Sequence, residues 1–184
     1  RGISGELVKR LVEADLLYQT DFPTSTGKTM PVIVFPIYDE KGKAVGADSC
    51  GTYNLDGFKF KHVYDGSDPT YGWRFANGVT TVTDKTPIYF CESAVDAMSL
   101  CMLEGYKGVY VSMAGCKDVT LDGIINVYGG KPVICVDNDE AGGKFRKRHP
   151  DAATLKPQFG NDWNDELQLR IENRLPYALN PSAR

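Results

Sequence analysis

The sequence predicts an α/β fold in two lobes, a small α+β lobe with an antiparallel sheet and then a parallel sheet flanked by helices. Two observations carry this prediction. In residues 1–82, short apolar segments are separated by turn-forming residues, which is typical of antiparallel hairpins. In residues 83–184, short apolar runs alternate with helical periods, which is typical of parallel strands buried on both faces. We place the boundary between about residues 78 and 86, where the hydrophobic period changes.

The first lobe begins with a short helix. Ser4 is suited to cap it, because a serine hydroxyl can accept a hydrogen bond from a free N–H of the first turn. The apolar stripe of this helix is formed by Leu7, Val8, Leu11 and Val12. Residues 21–30 are rich in Thr, Ser, Gly and Lys, and predict a loop.

The strands of the first lobe follow this loop. Residues 31–37 and 44–47 flank a Gly- and Lys-containing turn and predict a hairpin. Residues 57–63 alternate apolar and basic residues, so we expect a half-exposed strand with Lys59 and Lys61 on one face.

The second lobe alternates strands and helices. Its strand candidates are residues 87–91, 108–112 and 132–136, and its helix candidates are residues 93–103, 121–128, 140–147 and 163–174. In parallel sheets of this kind, ligands bind at the carboxyl ends of the strands.

Acidic residues stand at two of these strand ends. Glu92 directly follows the first strand, and Asp137 and Asp139 directly follow the third. Asp96 lies one helical turn beyond Glu92, and we expect it to face the same place. Crowded carboxylates stay ionised together only around a cation, and an oxygen-rich site favours Mg²⁺ or Mn²⁺. The sequence therefore indicates phosphoryl transfer or phosphodiester cleavage, although an Asp-x-Asp turn can also be an ordinary helix cap.

The composition argues against several classes of protein and of binding site. The chain has 21 basic and 24 acidic side chains and a net charge of −3, which argues against a protein that coats DNA by charge alone. Five scattered cysteines without a CxxC pair indicate reduced thiols in a cytoplasmic protein, and two histidines make a histidine-rich zinc site unexpected. No run approaches the ~18 apolar residues of a membrane span.

Three segments stand out in the second lobe: Tyr89-Phe-Cys-Glu-Ser-Ala-Val-Asp-Ala-Met98, Ser112-Met-Ala-Gly-Cys116 and Val136-Asp-Asn-Asp-Glu-Ala-Gly142. In this order they resemble the motifs of the Toprim domain, the metal-binding fold shared by bacterial-type primases, topoisomerases and some nucleases. The resemblance implies that Glu92 handles protons and that Glu92, Asp137 and Asp139 surround the metal. It makes Asp96, Gly115 and Gly142 supporting residues.

The resemblance extends over nearly the whole chain. Gly160-Asn-Asp-Trp-Asn-Asp165 is similar to the late acidic motif of bacterial primases, which makes Asp162 a candidate ligand of a second cation. Residues 1–4, 34–46 and 60–67 resemble the first subdomain of a primase catalytic core. The chain also resembles the primase-related Toprim proteins of plasmids and other mobile elements. It begins with Arg rather than Met, so we expect it to be part of a longer protein.

The sequence departs from the primase pattern at three places. Residues 48–52 replace a Gly-Gly-Arg stretch, and Pro69-Thr70 replaces a basic residue. The second late Asp is matched by Asn164, unless Asp165 takes its place. Basic side chains that hold template and triphosphate are therefore fewer here.

Three functions remain open. The first is a primase-like nucleotidyltransferase that uses Mg²⁺ or Mn²⁺, single-stranded DNA and nucleoside triphosphates, with a helicase or other replication proteins as partners. In it, Lys59 and Lys61 position template or primer, and Lys144 belongs to a basic cluster that either meets nucleic acid or caps a helix. The second is a metal-dependent Toprim nuclease, and the third is a non-catalytic module that binds DNA or a partner.

Overall fold

The computed structural model describes residues 1–23, 29–53 and 60–172. The elements of the first sheet and its helix are α1 (Gly5–Glu13), β1 (Tyr18–Pro23), β2 (Thr29–Tyr38), β3 (Ala44–Gly51) and β4 (Lys61–Val63). The second sheet contains β5 (Trp73–Asn77), β6 (Pro87–Cys91), β7 (Gly108–Ser112), β8 (Lys131–Ile134) and β9 (Ala153–Thr154). The remaining helices are α2 (Ala94–Glu104), α3 (Asp118–Tyr128), α4 (Glu140–Arg148) and α5 (Trp163–Ile171).

The first sheet has the order β1-β2-β3-β4 and is antiparallel throughout. The predicted hairpin is present, and Oδ1 of Asp39 stabilises its turn by accepting hydrogen bonds from the N–H groups of Lys41 and Lys43. Ser4 caps α1 as predicted, because its hydroxyl accepts the N–H of Leu7.

Two expectations for the first lobe need correction. The predicted loop over residues 21–30 is wrong at both ends, because residues 21–23 belong to β1 and residues 29–30 to β2; residues 24–28 lie outside the described residues. Strand β1 is an exposed edge strand and therefore lacks the apolar alternation that would have indicated it. Of the predicted strand over residues 57–63, residues 61–63 form β4, and Lys59 lies outside the described residues.

The second sheet has the order β5-β7-β6-β8-β9. Strands β6, β7, β8 and β9 are parallel, whereas β5 runs antiparallel to β7. Helix α2 is buried over most of its length because it lies between this sheet and α5. The predicted α/β fold class, a mostly parallel sheet flanked by helices after a small antiparallel α+β unit, is confirmed.

Strand β5 joins the two lobes. It lies on the first-lobe side of the predicted boundary, yet it pairs with β7 of the second sheet. The indole Nε1–H of Trp73 donates to the carbonyl of Leu16 at 2.6 Å, and the Arg74 guanidinium donates to the carbonyls of Tyr38 and Asp39. The division at residue 82 stays a prediction, but side chains of both lobes pack into one continuous hydrophobic core.

All five cysteines are free thiols. No helix among the described residues is long and apolar enough to cross a membrane.

Candidate functional site

Glu92 and Asp137 meet at the carboxyl ends of the paired strands β6 and β8. Oε1 of Glu92 accepts a hydrogen bond from the backbone N–H of Asp137 at 3.1 Å. The same oxygen accepts the thiol of Cys116 at 3.1 Å. The structure therefore brings together two of the predicted site residues and holds the Glu92 carboxylate in one orientation.

The turn after β7 supports this arrangement. Ala114 and Gly115 both have positive φ, at 50° and 113°, so the chain folds back sharply here. The N–H of Gly115 donates to the carbonyl of Glu92 at 2.8 Å. The predicted supporting position Gly115 thus lies beside Glu92, at a conformation that glycine adopts without strain.

Asp137 is the most perturbed carboxylate of the site. Its Oδ1 is buried and has no hydrogen-bond partner among the described residues. Burial, followed by nearby negative charge, raises the pKa of Asp137 to about 8. The charges that contribute are those of Asp96, Glu92, Asp162 and Asp139. A buried, unpartnered carboxylate oxygen among negative charges is the environment that a cation would stabilise.

Asp139 and Asp162 each cap a helix. Oδ1 of Asp139 accepts the N–H of Gly142 at 2.7 Å, and Oδ1 of Asp162 accepts the N–H of Asp165 at 2.6 Å. The helix-cap alternative for the Asp-x-Asp turn is therefore realised. Helix capping occupies only one oxygen of Asp139 and one of Asp162. Within the described part of the chain, the second oxygen of each of these carboxylates accepts no hydrogen bond.

Asp96 lies in the same acidic environment. It is only 5% exposed, and its carboxylate accepts the hydroxyl of Ser93. Burial, together with the charge of Asp162, raises the pKa of Asp96 to about 6, against an opposing effect of Lys61. Asp96 thus adds negative charge to the site, as predicted from its spacing after Glu92.

Three of these carboxylates, those of Asp96, Asp137 and Asp162, line a cavity between the two lobes, whereas Asp139 lines neither this cavity nor its neighbour. The volume of this cavity is about 60 Å³, which is large enough for several water molecules. One wall carries Asp96, Asp137 and Asp162, and the opposite wall carries Asp48 and Lys61 of the first sheet. A neighbouring cavity of about 230 Å³ is lined by Asp48, Lys61, His62, Val63, Glu92, Ser93, Ala114 and Gly115.

Asp48 is a residue that sequence reasoning missed. It lies on β3 and lines both cavities. Burial raises the pKa of Asp48 to about 6, while the positive charges of Lys61, Lys117 and His62 act in the opposite direction. A signal was present, because aspartate is depleted in strands, but it did not show which way the side chain points.

The predicted basic residues Lys61 and Lys144 differ in their position relative to the two cavities. Lys61 faces both cavities, whereas Lys144 lies on the exposed side of α4 and pairs with Glu140 at 2.7 Å. Arg146 is directed at the site backbone, since its guanidinium donates to the carbonyls of Val136 and Asp137. Nucleic-acid binding by Lys61 and Lys144 stays a prediction.

Asn164 and Asp165, the last two residues of the late acidic motif, point to different places. The side-chain amide of Asn164 is buried and donates to the carbonyl of Arg1 at 2.7 Å and to the hydroxyl of Ser99 at 3.0 Å. Asn164 also lines the smaller cavity. Asp165 instead accepts the N–H of Asn161 within its own loop. The inward position is therefore occupied by an amide rather than by a carboxylate.

The donor set fits a hard divalent cation. In residues 1–23, 29–53 and 60–172, no three Asp, Glu, His or Cys side chains form a ready-made coordination shell. Mg²⁺, however, keeps several waters and takes only one or two protein carboxylates together with substrate phosphates. The unpartnered oxygen of Asp137 and the free oxygens of Asp139 and Asp162 meet this smaller requirement.

Comparison with known proteins agrees with this architecture. Residues 89–167 match the family model described as Toprim-like, and residues 1–79 match a family described as protein of unknown function (DUF3991). Residues 89–167 are thus a Toprim-like domain. No curated protein sequence matches the chain.

The fold of the described residues is similar to that of primase catalytic cores of known structure. The primase fragment of the bacteriophage T7 primase-helicase protein matches with a TM-score of 0.59 at 16% identity, over 95% of this chain and 68% of that one. The DnaG primase catalytic domain bound to ssDNA matches at 0.52 and 18% identity, over 93% and 58%. The E. coli primase catalytic core matches at 0.50 and 17% identity, also over 93% and 58%. The chain therefore spans a little over half of these two cores, and at these identities the likeness concerns the fold.

Proposed function

We propose that this protein is a primase-like nucleotidyltransferase that acts on nucleic acid with Mg²⁺ or Mn²⁺. The observation that carries the proposal is the buried, unpartnered oxygen of Asp137, which lies beside Glu92 and among three further carboxylates. The primase-core fold and the Toprim-like domain support the same reaction class.

The roles of the carboxylates follow from their positions. One or two divalent cations, the first held by Asp137 and Asp139 and the second by Asp162 with Asp137, would bind triphosphate oxygens and stabilise the charge that develops during transfer. Glu92 would accept the proton of the attacking hydroxyl of the primer as its oxygen bonds to the α-phosphorus and pyrophosphate leaves. The hydrogen bonds from Cys116 and from Asp137 N–H hold one Glu92 oxygen, so the other is the candidate base.

The substrates would be single-stranded DNA and nucleoside triphosphates. Lys61 faces the cavities and would meet a phosphate of the nucleotide or primer. Lys59 would help Lys61 to position template or primer, and the exposed Lys144 would bind nucleic acid. We further propose that the protein acts in the replication or transfer of a mobile element, in the cytoplasm and with a helicase as partner. The T7 relative is a fragment of a primase-helicase protein, which supports a helicase as partner.

The test is an extension assay on single-stranded DNA with nucleoside triphosphates and Mg²⁺ or Mn²⁺. We expect extension products from the wild type and none from the double variant Asp137→Asn, Asp139→Asn. Asn also caps helices well, so this variant should fold. Asp151→Asn, at an exposed aspartate, is the matched control.

A titration with Mn²⁺ checks the site independently of turnover. The wild type and Asp151→Asn should bind the ion, and the double variant should not. Unchanged Mn²⁺ binding by the double variant would refute the site. Shortened strands in the assay would instead show a nuclease, and salt-dependent DNA binding without turnover would show a binding module.

A further inference from the structure

Asn138, the residue between the two aspartates of the Asp-x-Asp turn, is hydrogen-bonded to a different loop. Its backbone N–H donates to the carbonyl of Asn161 at 2.8 Å. Its side-chain Nδ2 donates to the carbonyl of Pro157 at 2.9 Å. One residue therefore holds the loop between β9 and α5 at both its beginning and its end.

This loop carries Asp162 into the site. Asn161 directly precedes Asp162, whose carboxylate caps α5 and lines the smaller cavity together with Asp137. The other side of the loop is held to α5, because the N–H of Gln158 donates to the buried carboxylate of Glu166 at 2.7 Å. The bonds of Asn138 thus connect the turn that bears Asp137 to the segment that bears Asp162.

These two segments would repel each other whenever both of their carboxyl groups are ionised. Asp137 and Asp162 are both carboxylates, and they approach the same cavity from different parts of the chain. Like charges that face one another in a partly buried site favour separation unless a cation or a mechanical link holds them. The amide of Asn138 is uncharged and supplies such a link without competing for a cation.

We infer that Asn138 is a positioning residue that sets the spacing between Asp137 and Asp162 and thereby enables the site to hold a second divalent cation. The inference rests on the proposed function, in which these carboxylates bind metal. Loss of the Asn138 amide would leave its backbone bond to Asn161 but release the carbonyl of Pro157, so that the loop bearing Asp162 is held to the turn of Asp137 at one point instead of two.

The experiment compares two asparagines that make the same kind of bond. Asn138→Ala removes the link at the site. Asn77→Ala removes a matched link on β5, where Nδ2 of Asn77 donates to the carbonyl of Tyr106 at 3.1 Å. Mn²⁺ binding is measured by isothermal titration calorimetry, and the number of bound ions by electron paramagnetic resonance. The melting temperature of each variant is recorded alongside.

We expect two Mn²⁺ ions in the wild type and in Asn77→Ala. In Asn138→Ala the first ion should bind as before, and the second should bind about 10–100-fold more weakly, which is the range for residues that orient metal ligands. Asn138→Ser, whose shorter side chain cannot reach Pro157, should show the same loss of affinity for the second ion. It replaces Asn138→Ala in the experiment if the alanine variant does not fold.

Other results overturn the inference in distinguishable ways. A second-ion affinity in Asn138→Ala equal to that of the wild type, or an equal loss in Asn77→Ala, removes the positioning role while the proposed function stands. If the wild type binds only one Mn²⁺ ion, there is no second cation for Asn138 to support, and the inference is wrong. Absence of Mn²⁺ binding in the wild type overturns the proposed function together with this inference.

Discussion

The backbone N–H of Asp137 donates a hydrogen bond to the carboxylate of Glu92, and this bond joins the ends of two neighbouring parallel strands. Because the donor is a main-chain group, the position of Glu92 depends on the path of the turn after β8 rather than on any one side chain in it. Changes in that turn should therefore affect the site even where no carboxylate is altered.

Gly142 offers a direct test of this dependence. A Cβ at this position would lie 2.2 Å from the carbonyl oxygen of Asp137, whereas a Cβ at Gly143 would meet nothing within 4 Å. We expect Gly142→Ala to lower the free energy of unfolding by about 1–3 kcal/mol and to weaken Mn²⁺ binding. Gly143→Ala, in the same helix, should raise the free energy of unfolding by about 0.5–1 kcal/mol. Urea unfolding measures both, and equal stabilities of the two variants would contradict the close contact.

The thiol of Cys116 should contribute to the orientation of Glu92. Burial and the hydrogen bond to Glu92 raise the pKa of Cys116 to about 12, so the thiol stays protonated and able to donate. We expect Cys116→Ala to reduce the extension rate by about 2–10-fold, which corresponds to a hydrogen bond of about 0.5–1.5 kcal/mol. Cys116→Ser keeps a donor and should restore most of the rate. If serine and alanine behave alike, the hydrogen bond has no part in catalysis.

Asp48 should make stability depend on pH. The folded protein raises the pKa of Asp48 from 3.8 to about 6, so the stabilisation by its protonated form is complete below the unfolded pKa and is lost as pH rises through about 6. Asp48→Asn should therefore be about 2–3 kcal/mol more stable than the wild type at pH 7 and no different near pH 3. Urea unfolding across this range gives the difference. Asp65→Asn, at an exposed turn, is the control variant.

Two ion pairs of the same spacing should differ in their effect on stability. Glu166 and Arg170 on α5 are almost fully buried, with side chains 1% and 7% exposed. Glu140 and Lys144 on α4 are 84% and 67% exposed. Glu166→Gln should cost about 3–5 kcal/mol, because it removes the charge of a buried carboxylate that binds both the Arg170 guanidinium and the N–H of Gln158. Glu140→Gln should change stability by less than about 1 kcal/mol. Similar losses in thermal unfolding would show that the pair on α5 is screened by water.

The sequence was sufficient to locate the parallel sheet and the strand ends that meet. Glu92 and Asp137 could be placed near each other because each directly follows a run of apolar residues, and the ends of parallel strands share an edge. Ser4 could be assigned as a cap for a similarly local reason. These features depend on residues that are neighbours along the chain or on one simple rule of sheet geometry.

Other features depend on contacts that leave no local pattern. Asp48 belongs to the cavity because of how the lobes pack, and Asn138 matters through bonds to a loop about 20 residues further along. Strand β5 does alternate buried and less buried residues, but only over Trp73–Asn77, and its partner is in the other sheet. Such relationships are set by tertiary packing, which overrides local preferences.

The pairing of β5 with β7 constrains how this molecule can be recombined with others. A chimaera that transplants the Toprim-like half into a foreign host has to be cut before Trp73, not in the connecting segment after Asn77. A later cut would strip the outer edge of β7, leaving its main-chain groups open to pairing with another molecule. Such a transplant would be expected to aggregate before its chemistry could be assayed.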